Sequence, residues 1–313
     1  MKNSLRMGLI VLSLAVPAAM FAAPLPSSVR PAIPAQVQQL ICVDYRALKN
    51  SDTAQQLKEQ VLPENLKQFE TALKGIGVST DRDVDTLTFV SYRQPKQGVQ
   101  IVGAAQGVFS LKTVLAKLKL KKIKPVKYHD SDIYPMSEGM DMTFLDETTL
   151  LFGGGPALRG AIDARDGYVQ TLDSNPDVAN MIQDVESGAV WSILDQKGTQ
   201  NMMLSALGDA SRLADYDTIK KHILGSRYSM NFNNGVTFDL DVITTDSVTA
   251  ATLSSLAKAG VLYKKMNATP VEKAALADVS ANSDGSKMQV HFKADDKQFQ
   301  SLIHTPLFMA VSR

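Results

Sequence analysis

The sequence predicts an α+β fold of two similar units, each an antiparallel sheet packed with helices. Three observations predict it. Strand-like runs alternate apolar and polar residues, so each strand has one wet face, as antiparallel sheets allow. Helical runs with apolar residues three and four apart fall between them. The order of elements across residues 37–170 then recurs across 171–313, the second unit carrying a leading helix.

The strands are the clearest elements. Val236, Phe238, Leu240 and Val242 alternate with Thr237, Asp239 and Asp241, while Tyr228, Met230 and Phe232 alternate with Arg227, Ser229 and Asn231. Asn233, Asn234 and Gly235 join the two runs, a strong hairpin signal. Residues 87–92 and 100–108 form the matching pair in the first unit. Helix starts are marked by Ser110, by Asp246, and by Asn175 ahead of Pro176. Leu111, Val114, Leu115 and Leu118 make one buried stripe, and Leu253, Leu256, Ala257 and Gly260 its counterpart. Longer helices are expected over 53–74 and 199–223.

Strand 40–46, helix, hairpin 86–108, helix 111–119 and hairpin 132–145 therefore make the first unit. Strand 189–195, helix, hairpin 227–243, helix 247–259 and hairpin 276–292 make the second. The first adds a strand over 149–152, and closing helices are expected at 157–164 and 296–304.

The N-terminus predicts export. Lys2 and Arg6 precede an apolar run from Met7 to Phe21, shorter than a spanning helix needs, with small residues after it. Residues 1–23 read as a signal peptide, and the location as periplasmic or secreted. Membrane contact is expected only if that signal stays uncleaved. Pro24, Pro26, Pro31 and Pro34 make 24–36 a disordered lead-in on this reading. A net charge of +1 implies no general attraction to nucleic acid. One cysteine, Cys42, rules out an internal disulfide, and its apolar neighbours Leu40, Ile41 and Val43 read as a buried strand.

This order of leader, proline-rich lead, strand, helix and hairpins, with Asn175 and Pro176 opening a helix before strand 189–195, resembles a group of exported bacterial proteins of unknown function. That group is built on a duplicated α+β unit. The resemblance spans most of the chain beyond the leader, implies an envelope location, and carries over no site residues.

Tempting motifs fail on their chemistry. Gly153, Gly154 and Gly155 lie between a strand and a helix, as in a phosphate loop, but no Lys-Ser/Thr pair follows and Pro156 removes an amide donor. Ser255 and Lys258 have S-x-x-K spacing inside an amphipathic helix, without the companion K-T-G. Asp81, Asp83 and Asp85 begin like a calcium loop, yet Thr86 and Tyr92 stand where glycine and glutamate are required. Met136, Met140 and Met142 near His129 suggest Cu(I), but strand alternation makes the methionines core fillers. His129, His222, His291 and His304 lack metal-binding spacing. No catalytic residue, metal ligand or cofactor site is expected.

The densest charge feature contains Lys117, Lys119, Lys121, Lys122 and Lys124. No aromatic interrupts it, so the stacking platform for single-stranded nucleic acid is missing. A solvated helix face explains it, and contact with an anionic envelope surface is its functional alternative. The expected function is that of an exported, non-catalytic envelope protein that binds or organises a partner. The rival is a hydrolase or small-ligand carrier with a site in the cleft between the units.

Overall fold

The structure is a computed structural model describing residues 24–61, 64–137 and 139–305. The signal expected over 1–23 lies outside them, as do residues 306–313.

The first half contains β1 (Val37–Asp44), α1 (Tyr45–Lys49), α2 (Asp52–Val61), α3 (Glu64–Gly75), α4 (Thr80–Asp83), β2 (Val84–Gln94), β3 (Gly98–Gly107), α5 (Leu111–Leu120), β4 (Val126–Tyr128), β5 (Ser131–Ser137), β6 (Met140–Asp146), β7 (Thr149–Gly153) and α6 (Gly155–Arg165). The second contains α7 (Pro176–Gln183), β8 (Val190–Leu194), α8 (Gln196–Leu207), α9 (Tyr216–Ile219), β9 (Ile223–Asn231), β10 (Val236–Thr244), α10 (Ser247–Asn267), α11 (Pro270–Ala277), β11 (Val279–Asp284), β12 (Lys287–Ala294) and α12 (Asp296–Ile303).

The α+β class holds, but the strands of the two halves do not form a sheet apiece. Among the described residues they make one antiparallel sheet ordered β11-β12-β10-β9-β8-β1-β2-β3-β7-β6-β5-β4. β1 and β8 meet at its centre, Leu40 opposite Ile193 and Cys42 opposite Trp191. Going outward, β1-β2-β3-β7 on one side matches β8-β9-β10-β12 on the other.

Alternation sorts the side chains onto two faces. One face carries Leu40, Cys42, Val90, Val102, Trp191 and Ile193, which share a buried cluster with Leu158 and Ile162 of α6 and Val178 and Ile182 of α7. This cluster crosses the centre, so the cleft expected between the units is filled by common core. On the other face, Phe69, Leu73, Val114 and Leu118 of α3 and α5 pack over the first half. There Met203, Leu253 and Leu256 of α8 and α10 pack over the second. Phe299 and Ile303 of α12 join Val236 on that same face, with Leu57 of α2 from the first half against them.

The expectation of a disordered lead-in over 24–36 is overturned. Leu25, Val29, Ala32 and Ile33 are buried in the central cluster, and Arg30–Ala32 form a 3-10 turn. Leu172 N–H donates to the Ile33 carbonyl at 2.8 Å, and Ala35 N–H to that of Gln170 at 2.9 Å. The prolines that suggested open chain restrict the backbone in advance, which lowers the entropy lost when the apolar residues dock.

Helix limits differ where local signals were overridden. The helical stretch expected over 53–74 is divided into α2 and α3, with Pro63 in the intervening sequence. The helix expected over 199–223 ends at Leu207, where Gly208 takes φ 53°. Asp215 then caps the short α9. α10 runs eight residues beyond the expected end at 259, and α11 precedes β11 behind a capping box of Thr269 and Glu272.

Candidate functional site

The feature that stands apart is one wing of the sheet whose outer strands no helix covers on one face. On that face α7 covers β9 and the end of β10, where Gly225 lies against Met181 and Ile243 packs on the central cluster. β12 leads into α12 on the face of Val236, so the opposite face of β10, β12 and β11 stays largely open. Asp239 and Asp241 of β10, Gln289 and His291 of β12, and Ser280 and Asn282 of β11 project from it in cross-strand rows. These are the polar positions of the alternation seen in the sequence, and their chemistry requires water on that side.

Two constellations lie there. Arg227, buried on β9, gives Nε and Nη2 to Asp241 Oδ2 at 3.1 and 2.9 Å, and Nη1 to Asp184 just beyond α7. Gln289 Nε2 reaches the other Asp241 oxygen at 3.3 Å. With a carboxylate on each side, Arg227 is satisfied and acts as a bolt between the α7 end and the wing.

One row over, register places Ser280, His291 and Asp239 side by side on three neighbouring strands. His291 Nδ1 lies 2.7 Å from Asp239 Oδ1. The order is that of a serine triad, but the surroundings are wrong. His291 and Asp239 side chains are 48% and 54% exposed, whereas acyl transfer requires preorganised donors in a dry site. The row is a polar cross-strand ladder.

The lysines are displayed, and not uniformly free. All five are exposed. Lys121 Nζ and Lys117 Nζ hang over the end of α3, where a Cβ on Gly75 or Gly77 would meet them at 2.7 and 2.6 Å. There they face the carbonyl-rich terminus of that helix. Lys119, Lys122 and Lys124 remain directed at solvent.

The structure disperses the other motifs. Gly153 has φ 153° and its hypothetical Cβ would sit 2.9 Å from the Ile101 carbonyl. A carboxylate oxygen of Asp141 lies near Gly155, on the ground an anion would need. The glycines therefore make a tight strand-to-helix turn. Asp81 accepts from the Tyr45 hydroxyl at 2.9 Å, Asp83 from Ser79 N–H at 2.8 Å, and Asp85 pairs with Arg46 at 3.1 Å, so the three acids point to three protein partners. Met142 is buried with Phe152 in the first-half core, and Met136 and Met140 pack on it. His129 is held elsewhere, 3.0 Å from Asp163 and stacked on Tyr168. Ser255 donates to the Ala251 carbonyl of its own helix at 2.9 Å. Among the described residues no three His, Cys, Asp or Glu side chains gather to hold a metal.

Cys42 is inert by environment. Burial pushes its thiol up to about 12, against a weaker opposing contribution from the Thr88 hydroxyl. At α2 and α12, where helices of the two halves meet, an opening of about 580 Å³ is lined by Gln56, Glu59, Gln60 and His304. One carboxylate and one imidazole make no catalytic set, and Gln60 Nε2 and His304 Nδ1 already meet at 2.9 Å.

Sequence reasoning did not assemble the Arg227, Asp184 and Asp241 set. Arg227 and Asp241 were visible on wet faces, but their meeting depends on hairpin register, and Asp184 arrives from another element.

Comparison with known proteins bears on the fold alone. No family model matches the chain, and no curated protein matches it. Among solved structures it is similar to TP0453 in its crystal form I. The TM-score is 0.51 at 8% identity, covering 88% of this chain and 95% of that one. Crystal forms III and IV of the same protein give 0.47 and 0.46 at 7% and 8% identity. The likeness over nearly the whole length shows a shared architecture at a distance where no residue role transfers. No helix among the described residues is long and apolar enough to cross a membrane.

Proposed function

We propose that this chain is an exported, non-catalytic protein of the bacterial envelope that works by docking a protein partner on the open wing of its sheet. The observation that carries the reading is the exposed polar face of β10, β12 and β11, with its charges ordered by cross-strand pairs. Exposed polar faces suit macromolecules, whereas small-molecule sites are concave and mostly apolar. Export draws support from the leader-like N-terminal sequence, and the envelope from the sequence's resemblance to exported bacterial proteins. The division at residue 170 into two related units draws support from the matching strand order.

A pulldown of the tagged chain from envelope extract tests the docking reading when paired with a face variant. Asp239→Lys with Lys293→Glu should abolish capture of the partner held by the unaltered chain. Equal capture by both would exclude the face.

A specific observation favours a second contact. Lys119, Lys122 and Lys124 form no ion pair among the described residues, which suits an anionic envelope surface. Binding to anionic vesicles should fall with salt and with glutamine at these three positions. Binding unchanged by those substitutions would remove the lysines from the function.

A further inference from the structure

The two edges of the sheet are finished differently. β4, at one end, has three residues, follows Pro125 and carries Lys127. Shortness, proline and lysine are the usual means of blunting an edge against pairing. β11, at the other end, has six residues in unbroken register with β12 and contains neither proline nor lysine. Its outer main-chain groups have no strand beside them among the described residues. Next to it an opening of about 640 Å³ runs along α10, lined by Val248, Ala251 and Ser255 of the helix and by Ser283 and Gly285. The lining is small and uncharged, and Val248 is 74% exposed. An open edge beside a helix is the geometry in which an extended peptide adds as a further strand, main chain on the edge and alternate side chains in the groove.

Charge selects the occupant. Asp278 immediately before β11 and Asp284 at its end are exposed and in no ion pair among the described residues. At roughly 3.3 Å per residue they stand about 20 Å apart. A second copy pairing antiparallel through this edge would bring Asp278 of one chain toward Asp284 of the other, and facing like charges are destabilising. A segment with basic residues six positions apart meets both acids. Residues between them that alternate small apolar with hydroxyl side chains match the α10 groove on one side, and Ser280 and Asn282 on the other.

We infer that the β11 edge and the α10 groove accept an extended, basic-ended segment of a partner protein as a thirteenth strand. This rests on the reading that the chain works by binding a protein, and the added strand would extend the open wing past its Ser280 and Asn282 edge.

The probe is a seven-residue synthetic peptide of alternating valine and serine with arginine at both ends. A control peptide carries glutamate at the ends. Calorimetric titration of the full chain should show the arginine peptide binding at least tenfold tighter than the control. Asp278→Lys with Asp284→Lys should reverse that order. Ala251→Trp, on an exposed helix position, should fill the groove and weaken the arginine peptide tenfold without shifting the thermal melt. Equal affinity for the two peptides, binding of neither, or binding untouched by Ala251→Trp overturns the inference. So does sedimentation showing a dimer that Asp284→Lys dissociates, which would assign the edge to a second copy. Failure here with partner capture still lost in the wing variant would leave the docking reading intact.

Discussion

The closing helices of the two halves follow equivalent strands and land on opposite faces of the sheet. β7 feeds α6 onto the face of Val90, Val102 and Leu151, and Leu158, Ala161 and Ile162 of that helix bury there. β12 feeds α12 onto the other face, where Phe299 and Ile303 meet Val236 and the first half's Leu57. The strand residues explain the difference. In the first half the face that α6 covers is apolar, and leaving it in water would forfeit about 25 cal/mol for every Å² of apolar surface. In the second half the same face carries Asp239, Asp241, Gln289 and His291, which a helix would have to desolvate. The turns agree with the outcome. Gly153, Gly154 and Gly155 permit a close turn onto one side, whereas Asp295 caps α12 on the other through Gln298 N–H. A shared strand order thus supports two different surfaces, one sealed and one exposed.

Breaking the seals should give the largest effects. Leu158→Ala in α6 and Phe299→Ala in α12 each empty a buried site, and each should destabilise by about 3–5 kcal/mol in urea unfolding. A loss under about 1 kcal/mol at either position would show that helix to be a loose cover. Next comes the bolt between the wing and α7. Asp241→Ala deprives buried Arg227 of one carboxylate and should cost about 2 kcal/mol, while Asp184→Ala, at a half-exposed position, should cost less. Equal costs would mean that the two acids share the load evenly.

A smaller effect follows pH. The Asp246 carboxyl that caps α10 is held below its ordinary 3.8, first by Thr249 N–H and then by the Thr245 and Thr249 hydroxyls. A depressed folded value means that its contribution is complete above the unfolded value and is lost as pH falls through the folded one. The helix signal should therefore weaken below pH about 4. Asp246→Asn, which still caps, should flatten that limb. An unchanged acid limb in that variant would assign the loss to other carboxylates. The smallest effect belongs to the open wing. His291→Ala and Asp239→Ala should change stability by no more than about 0.5 kcal/mol, because exposed pairs contribute little. A large loss would show that the row is structural and not free for a partner.

Much of the fold was legible because it depends on local rules. Alternation marked β9 and β10, and Asn234 with Gly235 marked their turn. Asp246, Asn175 and the stripe through Val114 and Leu118 marked helices. The candidate surface was half legible, since the wet face of β10 was evident while its neighbours were not. Residues 24–36 misled for a physical reason. Proline density describes an isolated chain, and burial of Val29 and Ile33 is decided by what lies opposite them.

By itself the sequence determined which residues alternate, where helices begin, that Cys42 has no disulfide partner in its own chain, and that four histidines share no local metal spacing. Each of these depends on neighbours within a few residues. Only the tertiary structure decided that β1 and β8 join the halves into one sheet, that α6 and α12 choose opposite faces, that Arg227 lies between two acids, and that β11 is left as an open edge. Those outcomes depend on contacts between residues far apart in the chain, where register and the burial of whole faces set the energy.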